Sequence, residues 1–381
     1  MRGETGDPVP PSPWPTWPEG FDATEQDRRA LFVLSALRGI TPARLLALAL
    51  QRRSAEATLA SIARGEAGSE KDRAFARSLH PVDIETAAEA CGARFVTWGS
   101  PEYPSQLRQI HDPPAALYVV GTALADVTAA VAVVGARRCT ALGVEAAREI
   151  GRGLGLAGLT VVSGAARGID AAAHEGALSV NGPTVAVLGS GLDVVYPFHT
   201  RTLVARIASE GALVSEYAPG VPPSQHHFPA RNRIVAGLCR ATVVVEGAER
   251  SGSLITAEHA MEFGRDVFAV PGSMNSALSR TPLQLIRDGA TLIRGADDLL
   301  DDLGVELDRT TIERQVELDD AERRVLAEVI EPTLPDRLAS ALGMSLPEVM
   351  GTLIRLELRG FVRNVGGRFE TTLKTASAGR S

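Results

Sequence analysis

Between about Arg94 and Asp302 the sequence keeps returning to short β-branched runs that are apolar at nearly every position rather than at alternate ones. The runs are Val131 to Val134, Leu159 to Val162, Thr184 to Leu188, Thr242 to Glu246 and Asp266 to Val270, with helix-length segments between them. A strand that is apolar on both sides must be covered on both sides, as in a parallel sheet lying between helices. Residues 94–302 are therefore read as a doubly wound, Rossmann-like α/β core.

The flanks have different periods. Pro8, Pro10, Pro11, Pro13, Pro15 and Pro18 resist helix and sheet, so residues 1–22 are expected to form a disordered arm. Residues 23–93 read as a small helical domain. Thr24 and Asp27 form a capping-box pattern ahead of Leu31, Leu34 and Leu37, and Thr41-Pro42 opens a second helix after Gly39. The Gly39-Ile40-Thr41-Pro42 turn suits a helix-hairpin-helix that grips DNA backbone, although spacing alone favours a packing hairpin. Residues 303–317 are polar and read as a linker. In 318–372, three helical stretches precede two short extended pieces around Gly366-Gly367, the pattern of a winged helix, with 373–381 as a tail.

Composition excludes several classes. Three distant cysteines, Cys91, Cys139 and Cys239, rule out a disulfide framework or a cysteine zinc motif and suit a reducing cytoplasm. No apolar run is long enough to span a membrane, and the start lacks a signal-peptide core, so a cytoplasmic location and no membrane partner are expected. The net charge of -7 disfavours a bulk polyanion binder, so any nucleic-acid site must be local. Lys71 and Lys374 are the only lysines, a bias attributed to a GC-rich coding sequence rather than to function.

In such a sheet the informative residues follow the strands, where loops lead into helix N-termini that favour anions. Four glycine-containing turns are placed at one crevice. They are Gly135 to Arg138, Ser163 to Asp170, Gly189-Ser190-Gly191 and Glu246 to Thr256. Arg137 and Arg167 supply charge, and the hydroxyls of Ser163, Ser251, Ser253 and Thr256 can donate to phosphate oxygens. Gly135, Gly164, Gly168 and Gly252 allow close backbone approach. Neither a dinucleotide glycine motif nor a Walker A lysine loop is present, so no cofactor is indicated.

Phe228-Pro229-Ala230-Arg231-Asn232-Arg233-Ile234 admits two readings. Phe228 can stack a base while Arg231 and Arg233 meet phosphates, or Phe228 can sit in the core while the arginines form ion pairs. Asp170 and His174, four apart, could hydrogen-bond, but no positioned nucleophile accompanies them. Adjacent His226 and His227 would point apart in an extended segment and have no carboxylate or cysteine at ligand spacing, so no metal is expected. Asp193 is read as shaping a loop.

Together, Val133-Val134-Gly135-Ala136-Arg137, the stretch from Ser163-Gly164 through Arg167-Gly168-Ile169-Asp170 to His174, Phe228 to Ile234, Ser251 to Ala257 and Pro271-Gly272 resemble DNA processing protein A, the DprA/Smf family. The resemblance implies a non-enzymatic single-stranded DNA-binding protein of natural transformation (competence). Such a protein shields incoming DNA and loads the RecA recombinase onto it, commonly as a homodimer. It further implies that Gly135, Arg137, Ser163, Gly164, Arg167, Gly168, Phe228, Arg231, Asn232 and Arg233 line the DNA pocket.

The sequence departs from that pattern at Ala136, Ala165, Glu246-Gly247 and Leu278 to Pro282, the last of which puts any ligand role for its loop in doubt. Residues 318–374 hold eight basic and nine acidic side chains, a balance unlike that of a duplex reader. The winged helix is expected to contact protein, or DNA weakly through Arg363 and Arg368. A competing reading is a nucleotide-binding, Rossmann-like enzyme of the phosphoribohydrolase type. Its Pro-Gly-Gly-x-Gly-Thr frame is not found in Glu249-Arg250-Ser251-Gly252-Ser253. A transcriptional regulator with a nucleotide in the crevice is the third.

Overall fold

Strand β3 (Ala130–Val134) is buried at all five positions, and its residues divide between two cores. Val131 and Val133 pack with Ala147, Ile150, Leu154 and Ile169 on one side, while Ala132 and Val134 pack with Ile234, Val235, Ala257 and Leu285 on the other. This two-sided burial is what the unbroken apolar run predicted.

The computed structural model describes residues 12–37, 39–122, 124, 129–249, 251–305, 318–358 and 361–371. The linker from 306 onwards, the tail and the first eleven residues of the expected arm lie outside them.

Nine strands form one sheet: β1 (Arg94–Thr97), β2 (Ala116–Gly121), β3, β4 (Thr160–Ser163), β5 (Thr184–Leu188), β6 (Ala212–Ser215), β7 (Ala241–Val244), β8 (Asp266–Ala269) and β9 (Thr291–Leu292). Their order is β1-β2-β6-β5-β4-β3-β7-β8-β9. Neighbours are parallel from β6 to β9, whereas β2 is antiparallel to both β1 and β6. The expected sheet is thus extended by an antiparallel edge, and β2 alone runs against the rest. The chain first steps from β3 outward to β6, then returns to place β7 on the other side of β3. The switch point therefore lies at the carboxyl ends of β3 and β7.

Helices α6 (Ala141–Leu156), α7 (Ile169–Leu178), α8 (Arg201–Glu210), α9 (His227–Gly237), α10 (Gly252–Glu262), α11 (Arg280–Arg287) and α12 (Ala296–Asp302) cover the sheet. Ahead of the sheet lie α1 (Glu25–Ala36), α2 (Pro42–Arg52), α3 (Ala55–Arg64), α4 (Glu70–Ser78) and α5 (Pro81–Ala90). Thr24, Thr41, Ser54 and Ser69 cap four of these, each side chain accepting a hydrogen bond from the amide three residues on. Phe32 of α1 stacks on Phe95 at 4.1 Å, and the hydroxyls of Ser35 and Tyr118 meet at 2.8 Å, so the helical unit is docked on the antiparallel edge.

The expected arm is corrected in part. Trp17 and Phe21 are buried, and the Trp17 indole donates to the Pro113 carbonyl at 2.9 Å. Proline denies this segment regular structure without preventing its two aromatics from filling a core.

After residue 318, α13 (Asp320–Glu328), α14 (Pro335–Leu342) and α15 (Leu346–Leu358) precede the antiparallel hairpin of β10 (Val362–Val365) and β11 (Arg368–Thr371), the expected winged helix. Its core includes Leu156 and Val180, so it packs on the back of α6 and α7. No described helix is long and apolar enough to cross a membrane.

Candidate nucleic-acid interface

The loops after β3, β4, β5 and β7 carry the glycines, and residues from all four line a cavity of about 530 Å³ over the switch point. Arg137, from the loop after β3, is exposed at its mouth, with its guanidinium 4.9 Å from the centre of the Phe228 ring. Phe228 is half-buried in the first turn of α9, its ring 6.0 Å from that of Tyr196. This arrangement leaves an aromatic and a cation facing the same opening, suited to a base and a phosphate.

The loop after β4 turns sharply. Gly168 has φ +90°, and a Cβ there would lie 2.4 Å from the Ala136 carbonyl oxygen, so only glycine lets this loop pass the Arg137 loop. At Gly164 a Cβ would lie 2.3 Å from the Arg231 guanidinium. That glycine is required by a protein side chain rather than by a ligand.

Arg231 lines the cavity but is itself buried. It donates to the Gly164 carbonyl at 3.0 Å and to the Val187 carbonyl, tying the ends of β4 and β5 together. Burial pulls its pKa down to about 10, against the charge of Asp170, which holds it up. Burial likewise raises Asp170, which accepts from the amides of Gly164 at 3.2 Å and Ala166 at 3.4 Å. Asp170 does not meet His174. That imidazole is buried against Thr184, Nδ1 to Oγ1 2.7 Å.

Three expected side-chain ligands are not brought into the cavity lining. Arg233 is buried between Asp112 at 3.1 Å and Glu216 at 2.8 Å. Burial opposes its charge, but these carboxylates outweigh that and hold it protonated. Ser163 is fully buried and donates to the Val133 carbonyl at 2.7 Å. Arg167 is exposed on its turn, outside the cavity lining.

The remaining residues come from α9 and α10. Asn232, midway along α9, donates to the Gly252 carbonyl at 3.0 Å and ties that helix to the start of α10. Ser251 and Ser253 share a hydroxyl hydrogen bond at 2.7 Å, and Thr256 donates back to Gly252 at 3.3 Å. These hydroxyls shape the turn rather than reach outward, yet the α10 N-terminus has no side-chain cap and opens into the cavity. Its amides are suited to an anion.

Tyr196 and Gln225 line the same cavity and were not anticipated from the sequence. Tyr196 is 55% exposed and follows the loop that Asp193 fixes by accepting from the Gly220 amide at 2.8 Å. An exposed aromatic beside proline, after a strand end, is the signal that could have found it. Glu246 turns away, accepting from the Thr140 amide and hydroxyl at 2.9 and 2.6 Å. The helix-hairpin-helix alternative is weakened in the same way, because the Gly39 amide donates to Asp72 at 2.9 Å.

Comparison with known proteins gives a consistent result. The family model for DNA recombination-mediator protein A matches residues 94–304, and that for the DprA winged helix domain matches 313–368. Protein Smf of Synechocystis sp. is 36% identical over 329 residues, covering 76% of this chain and 83% of its own. The X-ray structure of DNA processing protein A from Streptococcus pneumoniae aligns with a TM-score of 0.63 at 36% identity, covering 73% of this chain and 98% of that one. DNA processing protein A from Helicobacter pylori, whose structure is described for its single-stranded DNA binding mode, aligns with a TM-score of 0.51 at 29% identity. It covers 56% of this chain and 97% of that one.

Proposed function

Because the chain belongs to the DNA recombination-mediator protein A family, we propose that its crevice holds single-stranded DNA and presents it to a recombinase of the RecA type. The observation that carries this reading is Arg137 standing over Phe228 at the mouth of a cavity above the switch point. The cation meets a phosphate, the ring stacks a base of any identity, and the α10 N-terminus offers amides to a second phosphate. Gly135, Gly164, Gly168 and Arg231 form the support beneath these contacts; Asn232, Ser251, Gly252, Ser253 and Thr256 set the α10 start and hold it to α9; Arg167 adds charge at the rim. Arg233 and Ser163 act in the frame, not on the strand.

The mediator role in natural transformation, a homodimeric state and a cytoplasmic location belong to the same reading. A phosphoribohydrolase is disfavoured because the cavity's one lining carboxylate among the described residues, Asp170, is buried and committed to two amides and Arg231.

Oligonucleotide titration at several salt concentrations tests the proposal. Affinity should be indifferent to sequence, and the log–log salt slope should shrink by about 0.7 in Arg137→Ala as one phosphate contact is lost. Phe228→Ala should weaken binding by about 1–3 kcal/mol. Unchanged binding in the double variant would overturn the assignment.

A further inference from the structure

At the far end of α10 from the crevice, three side chains from two distant parts of the sequence meet. His259 and Glu262, three apart, share one face of the last helical turn, and His111 comes from the loop after the 3-10 turn Gln106–Gln109. His259 Nδ1 lies 3.2 Å and His111 Nε2 lies 3.4 Å from the same oxygen, Glu262 Oε2. One ligand atom from each residue lies within 4.8 Å of the other two. A tetrahedral ion with bonds of about 2.1 Å separates its ligands by about 3.4 Å, so two of the three edges already have that length.

The surroundings favour a metal ligand at His111. Its Nδ1 lies 3.0 Å from Asp112 Oδ1, within ion-pair reach but without hydrogen-bond geometry, so a carboxylate stands behind the ring while Nε2 lies on the side of Glu262. Phe263 packs 5.3 Å from the His111 ring and 5.8 Å from His259, and Trp14 stands edge-on to His111 at 6.0 Å, so apolar groups flank the cluster. Glu262 remains more than half exposed, which leaves room for a water as fourth ligand.

We propose that His111 Nε2, His259 Nδ1 and Glu262 Oε2 bind a divalent cation of the zinc class. Two imidazoles and a carboxylate suit zinc, nickel or copper and not magnesium or calcium, which prefer oxygen. The ion pins the 110–112 loop to α10. Since Asp112 also pairs with Arg233 of α9, the ion joins the two helices whose N-terminal ends line the crevice. The site is independent of what the crevice holds.

Calorimetric titration of the full, chelator-treated chain with zinc chloride tests this. One ion should bind per chain, and thermal unfolding should shift upward with it. His111→Ala, His259→Asn and Glu262→Gln should each weaken binding by about tenfold or more, while His199→Ala, an exposed histidine outside the cluster, should leave it unchanged. Cobalt(II) should give the visible absorption of a four-coordinate ion in the parent and not in the variants. The three variants replace part-exposed groups and should melt with the parent when metal is absent. Absence of binding, binding that survives His259→Asn with Glu262→Gln, or equal loss in His199→Ala would overturn the proposal.

Discussion

The guanidinium of Arg233 is 3% exposed between two carboxylates, whereas that of Arg137, on the opposite side of the crevice loops, faces solvent. Removing a partner from a buried ionic cluster leaves uncompensated charge, which costs about 3–5 kcal/mol. Arg233→Ala should therefore lower the denaturation midpoint strongly, while Arg137→Ala should stay within about 0.5 kcal/mol of the parent, as surface changes do. Urea titration of both variants checks the contrast, and equal midpoints would refute the separation of roles. His174 gives a pH signature at the same scale. Thr184 donates its hydroxyl proton to the Val161 carbonyl at 2.9 Å, so it must accept from His174 Nδ1–H, and the imidazole is held neutral. Burial, with the nearby Arg231 charge, lowers its pKa from 6.5 to about 3. Above pH 6.5 neither folded nor unfolded chain carries the proton; below it the unfolded chain takes it first, so stability is lost as pH falls from 6.5 toward 3. The slope approaches about 1.4 kcal/mol per pH unit. Asp170 and Glu216, both raised by burial, act in the opposite sense. They cancel when the parent is compared with His174→Asn, whose amide can still donate to Thr184. The difference between the two stability curves should be constant above about pH 6.5 and shift against the parent on acidification; a difference that stays constant throughout would show that His174 takes up no such proton.

At the scale of elements, the strands that could be read were those buried on both faces. β3 is apolar throughout and β5 is so after Thr184, and both, with β4, β7 and β8, were found within a residue or two. β1, β2, β6 and β9 were not read as strands: β1 and β9 are partly or wholly exposed at the two edges, while β2 and β6 are buried apolar runs like those that were read, β6 lying parallel to β5 and antiparallel to β2. The segment from Phe228 to Ile234 was legible as a candidate for the site but not as a helix. On α9, residues two apart point to different sides, so Arg231 and Arg233 could not both face the crevice; one became a tie between strand ends and the other a core ion pair. Nothing in the order of side chains shows which carboxylates tertiary packing will bring. The β4 loop supports a prediction of its own. Gly168→Ala should cost at least about 1–3 kcal/mol for the strained backbone, with further loss from the contact at the Ala136 carbonyl. It should also weaken oligonucleotide binding, since the Arg137 backbone is the next atom group displaced. Gly158→Ala, also at positive φ but with nothing within 4 Å of a Cβ, provides the comparison, and it should lose less stability and no affinity. Equal affinity loss in both would remove the link between this turn and the crevice.

Across the whole molecule, a net charge of -7 coexists with a local site for an anion because described arginines such as Arg148, Arg233 and Arg294 pair with the chain's own acids, while Arg137 stays exposed at the cavity. The winged helix shows the same pattern: Arg355 of α15 reaches Glu322 at 3.4 Å and Arg363 reaches Glu370 at 2.6 Å, so these exposed cations are partnered by its own acids. Its fixed link to the core is apolar. Leu156 and Val180, at the ends of α6 and just after α7, are buried in the cluster that holds Val325, Leu353 and Phe361, and the Arg152 guanidinium lies 5.7 Å from the Phe361 ring. An aspartate at Val180 would place an unpaired charge in that contact, a loss of several kcal/mol that the winged helix can escape by separating. Calorimetry should then resolve two unfolding transitions where the parent has one, the smaller belonging to residues 318–371. Oligonucleotide affinity should persist, because the crevice lies at the carboxyl ends of the strands and Val180 lies just ahead of the amino end of β5. A single transition at an unchanged temperature would show that the apolar contact contributes little. Loss of DNA binding together with the contact would instead make the winged helix part of the binding surface, against the reading of its charges.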